Sequence, residues 1–170
     1  MSLEIFVRSA IIEDCRPMWE WWNDPVTRQM MKDNDPVPYE SHAAWFEKAI
    51  VDPNRMLCVG VLDSKAFGVV RFLKEEEGVY EVSINLDSVL RGKGLGSILM
   101  GESINILKSK ESPSLLFAML KKINTPSKRT FEKNNFVFKE PEKFYPKMDN
   151  YNPETEFYCE IKYDNGIKHG

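Results

Sequence analysis

Six residues, Arg91-Gly92-Lys93-Gly94-Leu95-Gly96, constrain this 170-residue chain more than any others. They follow a strand-like run, Val79 to Leu86, and open a helix-like one, Leu95 to Lys108. Alternating glycines let the backbone come within hydrogen-bonding distance of a bulky anion, because no Cβ blocks the approach. The helix that follows directs its unpaired N–H groups and the positive end of its dipole at the same point. Arg91 and Lys93 add cationic side chains. Strand, glycine turn, helix is a diphosphate cradle; its alternative is a tight structural turn with solvated cations. Two familiar nucleotide cradles fit poorly. A P-loop places four residues between its first Gly and Gly-Lys-Ser/Thr, and a dinucleotide fingerprint places Gly-x-Gly-x-x-Gly early in a βαβ unit. Here the spacing is Gly-x-Gly-x-Gly, past the middle of the chain and after a hairpin pattern.

The surrounding pattern predicts the rest of the architecture. Leu3 to Arg8 reads as a strand, and a helix starts near Glu13 with Ile12, Cys15, Trp19 and Trp22 at helical spacing. Asn23-Asp24-Pro25 ends it. Tyr39, Ala43, Phe46 and Ile50 mark a second helix, closed by Asp52-Pro53. Met56 to Leu62 and Ala66 to Leu73 form a hairpin around Asp63-Ser64-Lys65, and Glu75-Glu76-Glu77-Gly78 is a turn into the strand Val79 to Leu86. On that strand Tyr80, Val82, Ile84 and Leu86 share one face, Glu81, Ser83 and Asn85 the other. Leu115 to Leu120 is a buried strand, Thr125-Pro126 starts a helix with Thr125 as N-cap, and Phe136 to Phe138 and Glu156 to Tyr163 close the sheet. The predicted order is βααβββαβαββ.

That order, with Arg91-x-x-Gly94-x-Gly96, resembles the GNAT acetyltransferase superfamily, and the resemblance runs from Phe6 to about Phe138. A second signature supports it. Asn124-Thr125-Pro126-Ser127, followed by Phe131-Glu132-Lys133-Asn134-Asn135-Phe136, is similar to the superfamily's Asn and Ser entering a helix that ends in Tyr-Glu-Lys-x-Gly-Phe. Asn135 stands where Gly is usual, which a left-handed helix end tolerates. Phe131 stands where many members carry the Tyr thought to protonate the leaving thiolate, which puts that general acid in doubt. In the N-terminal half, Trp22-Asn23-Asp24 with Val26 and Arg28, then His42, Trp45 and Phe46, resemble a pattern of acetyltransferases acting on UDP-linked 4-amino sugars in pseudaminic and legionaminic acid synthesis. Amino-acid and ribosomal-protein acetyltransferases carry similar patterns.

The resemblance implies an α/β (α+β) fold: a mixed, twisted sheet of six to seven strands with helices on both faces. It implies acetyl-CoA as cosubstrate. Arg91, Gly92, Lys93, Gly94, Leu95 and Gly96 would hold the pyrophosphate, the backbone of Ile84 and Leu86 the pantetheine arm, and Asn124, Ser127, Phe131 and Lys133 would complete the site. Glu81 is the candidate general base, since a protonated amine must lose a proton before it attacks; Ser83 and Asn85 would order the intervening water. A solvent-facing strand carboxylate is the equal alternative for Glu81. Tyr80 and Tyr145 are candidates to replace the missing acid. Trp22, Asn23, Arg28, Met31, His42 and Trp45 are acceptor-site candidates, Arg28 and Lys32 as partners for a diphosphate; helix surface or core is the alternative for each.

Composition limits the remaining classes. With 42% hydrophobic and 29% charged residues, the chain suits one domain, 1–163, followed by a flexible tail, 164–170. Lys plus Arg number 23 against 26 acidic residues, so a general nucleic-acid binder is disfavoured. No apolar run is long enough for a membrane span, and no signal-peptide pattern opens the chain. Cys15, Cys58 and Cys159 lack metal-ligand spacing and suit reduced thiols in the cytoplasm. The expectation is a metal-free cytoplasmic N-acetyltransferase, monomer or homodimer. Its acceptor is the amine of a UDP-linked amino sugar, or else of an amino acid, polyamine or protein N-terminus. A non-catalytic coenzyme A-binding module stays open.

Overall fold

The computed structural model describes residues 4–164, which leaves Leu3 and all of the 164–170 tail except Asp164 outside the description. One seven-stranded sheet runs β1 (Ile5–Ser9), β2 (Arg55–Leu62), β3 (Lys65–Glu76), β4 (Val79–Leu86), β5 (Leu115–Lys121), β7 (Glu156–Lys162), β6 (Val137–Phe138). All neighbours are antiparallel except β4 and β5, which are parallel. A parallel pair needs a crossover, and α4 (Leu95–Lys110) supplies it.

The alternation along β4 divides the molecule. Tyr80 and Val82 enter a core with Leu99, Met100 and Leu107 of α4 and with Phe131 of α5 (Thr125–Lys133). On the opposite face, Leu57, Val59 and Val69 pack against Cys15, Met18 and Trp21 of α1 (Cys15–Trp22) and Phe46 and Ala49 of α3 (Tyr39–Ala49). Helices therefore cover both faces, each through its apolar stripe. The hairpin turn is the two-residue kind, with Asp63 and Ser64 both at positive φ (46° and 68°).

Several local expectations need correction. Asn23-Asp24-Pro25 ends α1 and also starts another helix, α2 (Pro25–Met30), because Asp24 caps it by accepting from the Thr27 N–H while Pro25 takes the first helical position. The acidic turn is shorter than expected: β3 continues through Glu76, with a bulge between Lys74 and Glu76, and only Glu77-Gly78 turn the chain into β4. The N-cap of α5 is Asn124, whose side chain accepts from Ser127 N–H, and Thr125 is already helical. Asn135 does adopt φ 67° beyond α5, where glycine would be usual. Among the described residues no helix is long and apolar enough to cross a membrane.

Candidate active site

Strands β4 and β5 pair only through Val79–Leu115, Tyr80–Leu116 and Glu81–Phe117. Beyond Glu81 they part, so β4 backbone groups on that edge lose their ladder partners from Val82 onward. Two cavities open along the split. One of about 730 Å³ lies on the α1–α3 side, and one of about 420 Å³ lies at the glycine loop. Met30, Met31, Ile84, Asn124 and Ser127 line both, so the two cavities adjoin along β4.

The smaller cavity is shaped by the glycine loop and the first turn of α4. Gly92 and Gly94 sit at φ 74° and 78°, where a side chain would be strained. Gly94 caps α4 with no side-chain bond to its first N–H groups, which are left for a ligand. At Gly96 a Cβ would lie 3.2 Å from Leu86 Cδ1 and 3.3 Å from Thr130 Oγ1, so glycine also lets α4 close onto β4 and α5. Leu86, Leu95 and Lys133 line this cavity as expected, and Arg129 joins them unforeseen. Lys93 is exposed and does not line it. The Asn85 amide nitrogen is buried here without a hydrogen-bond partner. Free β4 backbone, bare helix N-terminus and an amide nitrogen without a partner fit coenzyme A: a diphosphate with an amide-bearing arm.

Arg91 corrects a simpler expectation. Its guanidinium does not stand free for phosphate: it donates to Asp24 Oδ2 (3.0 Å), Thr27 Oγ1 (2.7 Å) and the Leu86 carbonyl (3.3 Å). Burial works against the Asp24 charge, but the Thr27 N–H and Arg91 outweigh it and hold that carboxyl below its ordinary value. Arg91 is thus a strut tying α2 to the end of β4. Arg91→Met should cost about 1–2 kcal/mol, a fall of roughly 2–8 °C in melting temperature for a chain of this size. An unchanged melting curve would show that the strut bears nothing.

The larger cavity brings together Glu81, Ser83, Trp22, Met31, Lys32, His42, Trp45 and Phe131. Glu81 stands at the last paired position before the split. Burial raises its carboxyl above the ordinary value, although Lys147, Arg71 and Arg55 pull it the other way. Ser83 Oγ accepts from Arg71 Nε at 3.0 Å, which leaves its own O–H to donate. His42 is buried with Nε2 3.0 Å from the Cys15 carbonyl, so that nitrogen carries the proton of the neutral ring. Burial, with Arg71 nearby, holds the imidazole below its ordinary pKa.

Four other candidates fall outside. Tyr80 lies on the opposite face of β4, buried in the α4 core, where burial and Glu111 push its phenol up. Tyr145 is stacked on Phe117 (5.2 Å between centroids) and does not line the cavity, although the adjacent Pro146 and Lys147 do. Asn23 clamps the segment after α2, accepting from Val37 N–H (2.7 Å) and donating to its carbonyl (3.0 Å). Arg28 is buried and donates to the Asp33 carbonyl, so it holds the same segment. Sequence reasoning missed Arg55, Arg71 and Lys147, which line the cavity around Glu81.

A family model described as the acetyltransferase (GNAT) family matches residues 15–136. The chain belongs to that family. It is 30% identical over 120 residues to YwnH of Bacillus subtilis (strain 168), provisionally named a phosphinothricin acetyltransferase, covering 66% of this chain and 71% of that one. Acetyltransferase PseH of Campylobacter jejuni (subsp. jejuni serotype O:23/36, strain 81-176) is 26% identical over 129 residues, covering 75% and 80%. Among solved structures, yncA of Salmonella typhimurium with its cofactor acetyl-CoA superposes with a TM-score of 0.75 at 16% identity, covering 96% of each chain.

Proposed function

We propose that this GNAT protein is a cytoplasmic N-acetyltransferase that moves an acetyl group from acetyl-CoA directly to a primary amine, with the amino group of a UDP-linked sugar as the favoured acceptor. The observation that carries the reading is the position of Glu81. It is half-buried, raised in pKa and lines the larger cavity where β4 leaves β5, three residues before Ile84, which lines both cavities. A carboxyl in that setting suits proton abstraction better than mere cofactor binding, which weighs against a non-catalytic module.

Acetyl-CoA, when bound, supplies the electrophilic thioester carbonyl. Glu81 takes the ammonium proton, directly or through one water oriented by the Ser83 hydroxyl. The β4 N–H groups freed by the split are fixed donors for developing negative charge. Phe131 has no proton to give, and among the described residues no tyrosine lines either cavity, so no tyrosine acid is placed at the site. None is required if water protonates the departing thiolate, since a thiol's ordinary pKa is about 8.5.

The acceptor reading rests on the Trp22–Phe46 pattern and on the cavity itself. A volume of about 730 Å³ is ample for a nucleotide sugar. Five lysines and arginines face three carboxylates there, in a chain whose net charge is −3. The displacement of Asn23 and Arg28 removes part of that pattern from the site, and the YwnH similarity favours a second reading, an anionic amino acid such as phosphinothricin. Thiol release from acetyl-CoA, followed with a UDP-linked 4-amino sugar, phosphinothricin and a neutral amine, separates them. Acetylated UDP-sugar by mass spectrometry is the expected product. Acetylation of phosphinothricin alone would replace the nucleotide-sugar acceptor, and thiol release stimulated by the neutral amine alone would sink the assignment of an anionic acceptor.

A further inference from the structure

The cavity beside Glu81 is lined by a guanidinium, that of Arg71. Arg71 of β3 donates through Nε to Ser83 Oγ (3.0 Å), and its Cζ lies 4.1 Å from the centre of the Trp22 ring. Those contacts fix the plane of the fork and leave the terminal nitrogens with no hydrogen bond or ion pair among the described residues. Burial, the largest influence, pushes this guanidinium down to about 10 despite the opposing field of Glu81. Cations in such surroundings are ordinarily paired.

The other cavity cations are differently placed. Arg55 is bridged to Asp52 (3.1 Å), Lys32 donates to the Asn150 carbonyl (2.6 Å), and Lys121 donates to the Gln29 carbonyl (2.9 Å). Lys147 is exposed. Arg71 alone combines shelter, a fixed orientation and free donors. In register it faces Ser83, on the same face of the sheet as Glu81 two residues along β4.

We propose that Arg71 binds an oxyanion, phosphate or carboxylate, carried by the same acceptor molecule whose amine meets Glu81. The inference rests on the acetyltransferase reading and deepens it: the acceptor bears both charges, and a planar fork with free terminal N–H groups suits bidentate capture of such an anion. Trp22 then acts as the wall that holds the fork, and Ser83 as its hinge pin.

Calorimetric titration of the acetyl-CoA-loaded protein with UDP, L-glutamate and inorganic phosphate tests this. Loading first fills the glycine cradle, so phosphate cannot be read at the wrong place. An anion is expected to bind the unaltered protein and to bind Arg71→Gln about 10- to 100-fold more weakly, with acetyl-CoA affinity unchanged. Arg71→Lys, which keeps charge over Trp22 but lacks the fork, should fall between, and it carries the test if the Gln variant does not fold. A response to UDP assigns a phosphate source, and one to glutamate a carboxylate source. Affinities in Arg71→Lys and Arg71→Gln equal to the unaltered protein's, or no binding of any of the three anions, would overturn the proposal. Failure to bind acetyl-CoA in the first place would instead bring down the enzyme reading on which it rests.

Discussion

Glu81→Gln is expected to lower turnover by about 10²- to 10³-fold while acetyl-CoA affinity stays unchanged. The substitution preserves shape and removes only the group that accepts a proton. The pH dependence fixes the interpretation. Burial raises the Glu81 carboxyl above its ordinary 4.5, so kcat/KM should rise with pH through an inflection above that value and then level. The variant should lack this limb. Stability should move the opposite way. A carboxyl whose folded pKa is raised contributes stability that is fully present below its unfolded value and lost as pH rises through the folded one. At neutral pH the Gln variant, which cannot ionise, should therefore melt at or above the unaltered protein, with the gap closing in acid. Full turnover in Glu81→Gln, or an identical acid limb, would remove Glu81 from the mechanism.

The parts of this molecule that were legible in sequence are those fixed by local chemistry. The alternation along Val79–Leu86 sorted Glu81 and Ser83 from Tyr80 and Val82 onto opposite faces, and the structure keeps that sorting. That sorting puts Tyr80 and Glu81 on opposite faces, so the expectation of Tyr80 as an acid beside Glu81 fails for a local reason. Helix α2 is legible in principle, because Asp-Pro is a cap-plus-first-turn signal as well as a stop. The splay of β4 from β5 was not legible, since no residue in Val82–Leu86 marks where a parallel ladder ends.

Polar residues stand away from their expected places where a partner lies far along the chain or in an irregular loop. Arg91 is sequestered by Asp24 and Thr27, more than sixty positions away. Asn23 is occupied by Val37 and Arg28 by the Asp33 carbonyl, loop partners that no periodicity announces. Arg71 was missed for the complementary reason. Within Phe67-Gly68-Val69-Val70-Arg71-Phe72-Leu73 it reads as one cation interrupting a buried strand. Its meaning depends on Trp22 and Ser83, brought to it by α1 and β4.

Gly94→Glu should weaken coenzyme A binding by at least about 100-fold, roughly 3 kcal/mol. Gly94 is at φ 78°, so any side chain there carries a left-handed penalty of about 1–2 kcal/mol. A Cβ at that position meets nothing within 4 Å, so no clash is added. A carboxylate at the N-terminus of α4 would itself be favoured by the helix dipole, by about 0.3–1 kcal/mol, which offsets part of the strain. The protein should therefore fold, with its own anion competing for the N–H groups and repelling the pyrophosphate. Gly94→Ala separates the two effects: it carries the strain without the charge, so it should lower the melting temperature yet bind coenzyme A almost as the unaltered protein does. Because the added repulsion is exposed and screened, the gap between the Glu and Ala variants should narrow as salt is raised. Equal coenzyme A affinity in both variants at low salt would mean that the pyrophosphate lies elsewhere, and the cradle would be only a turn.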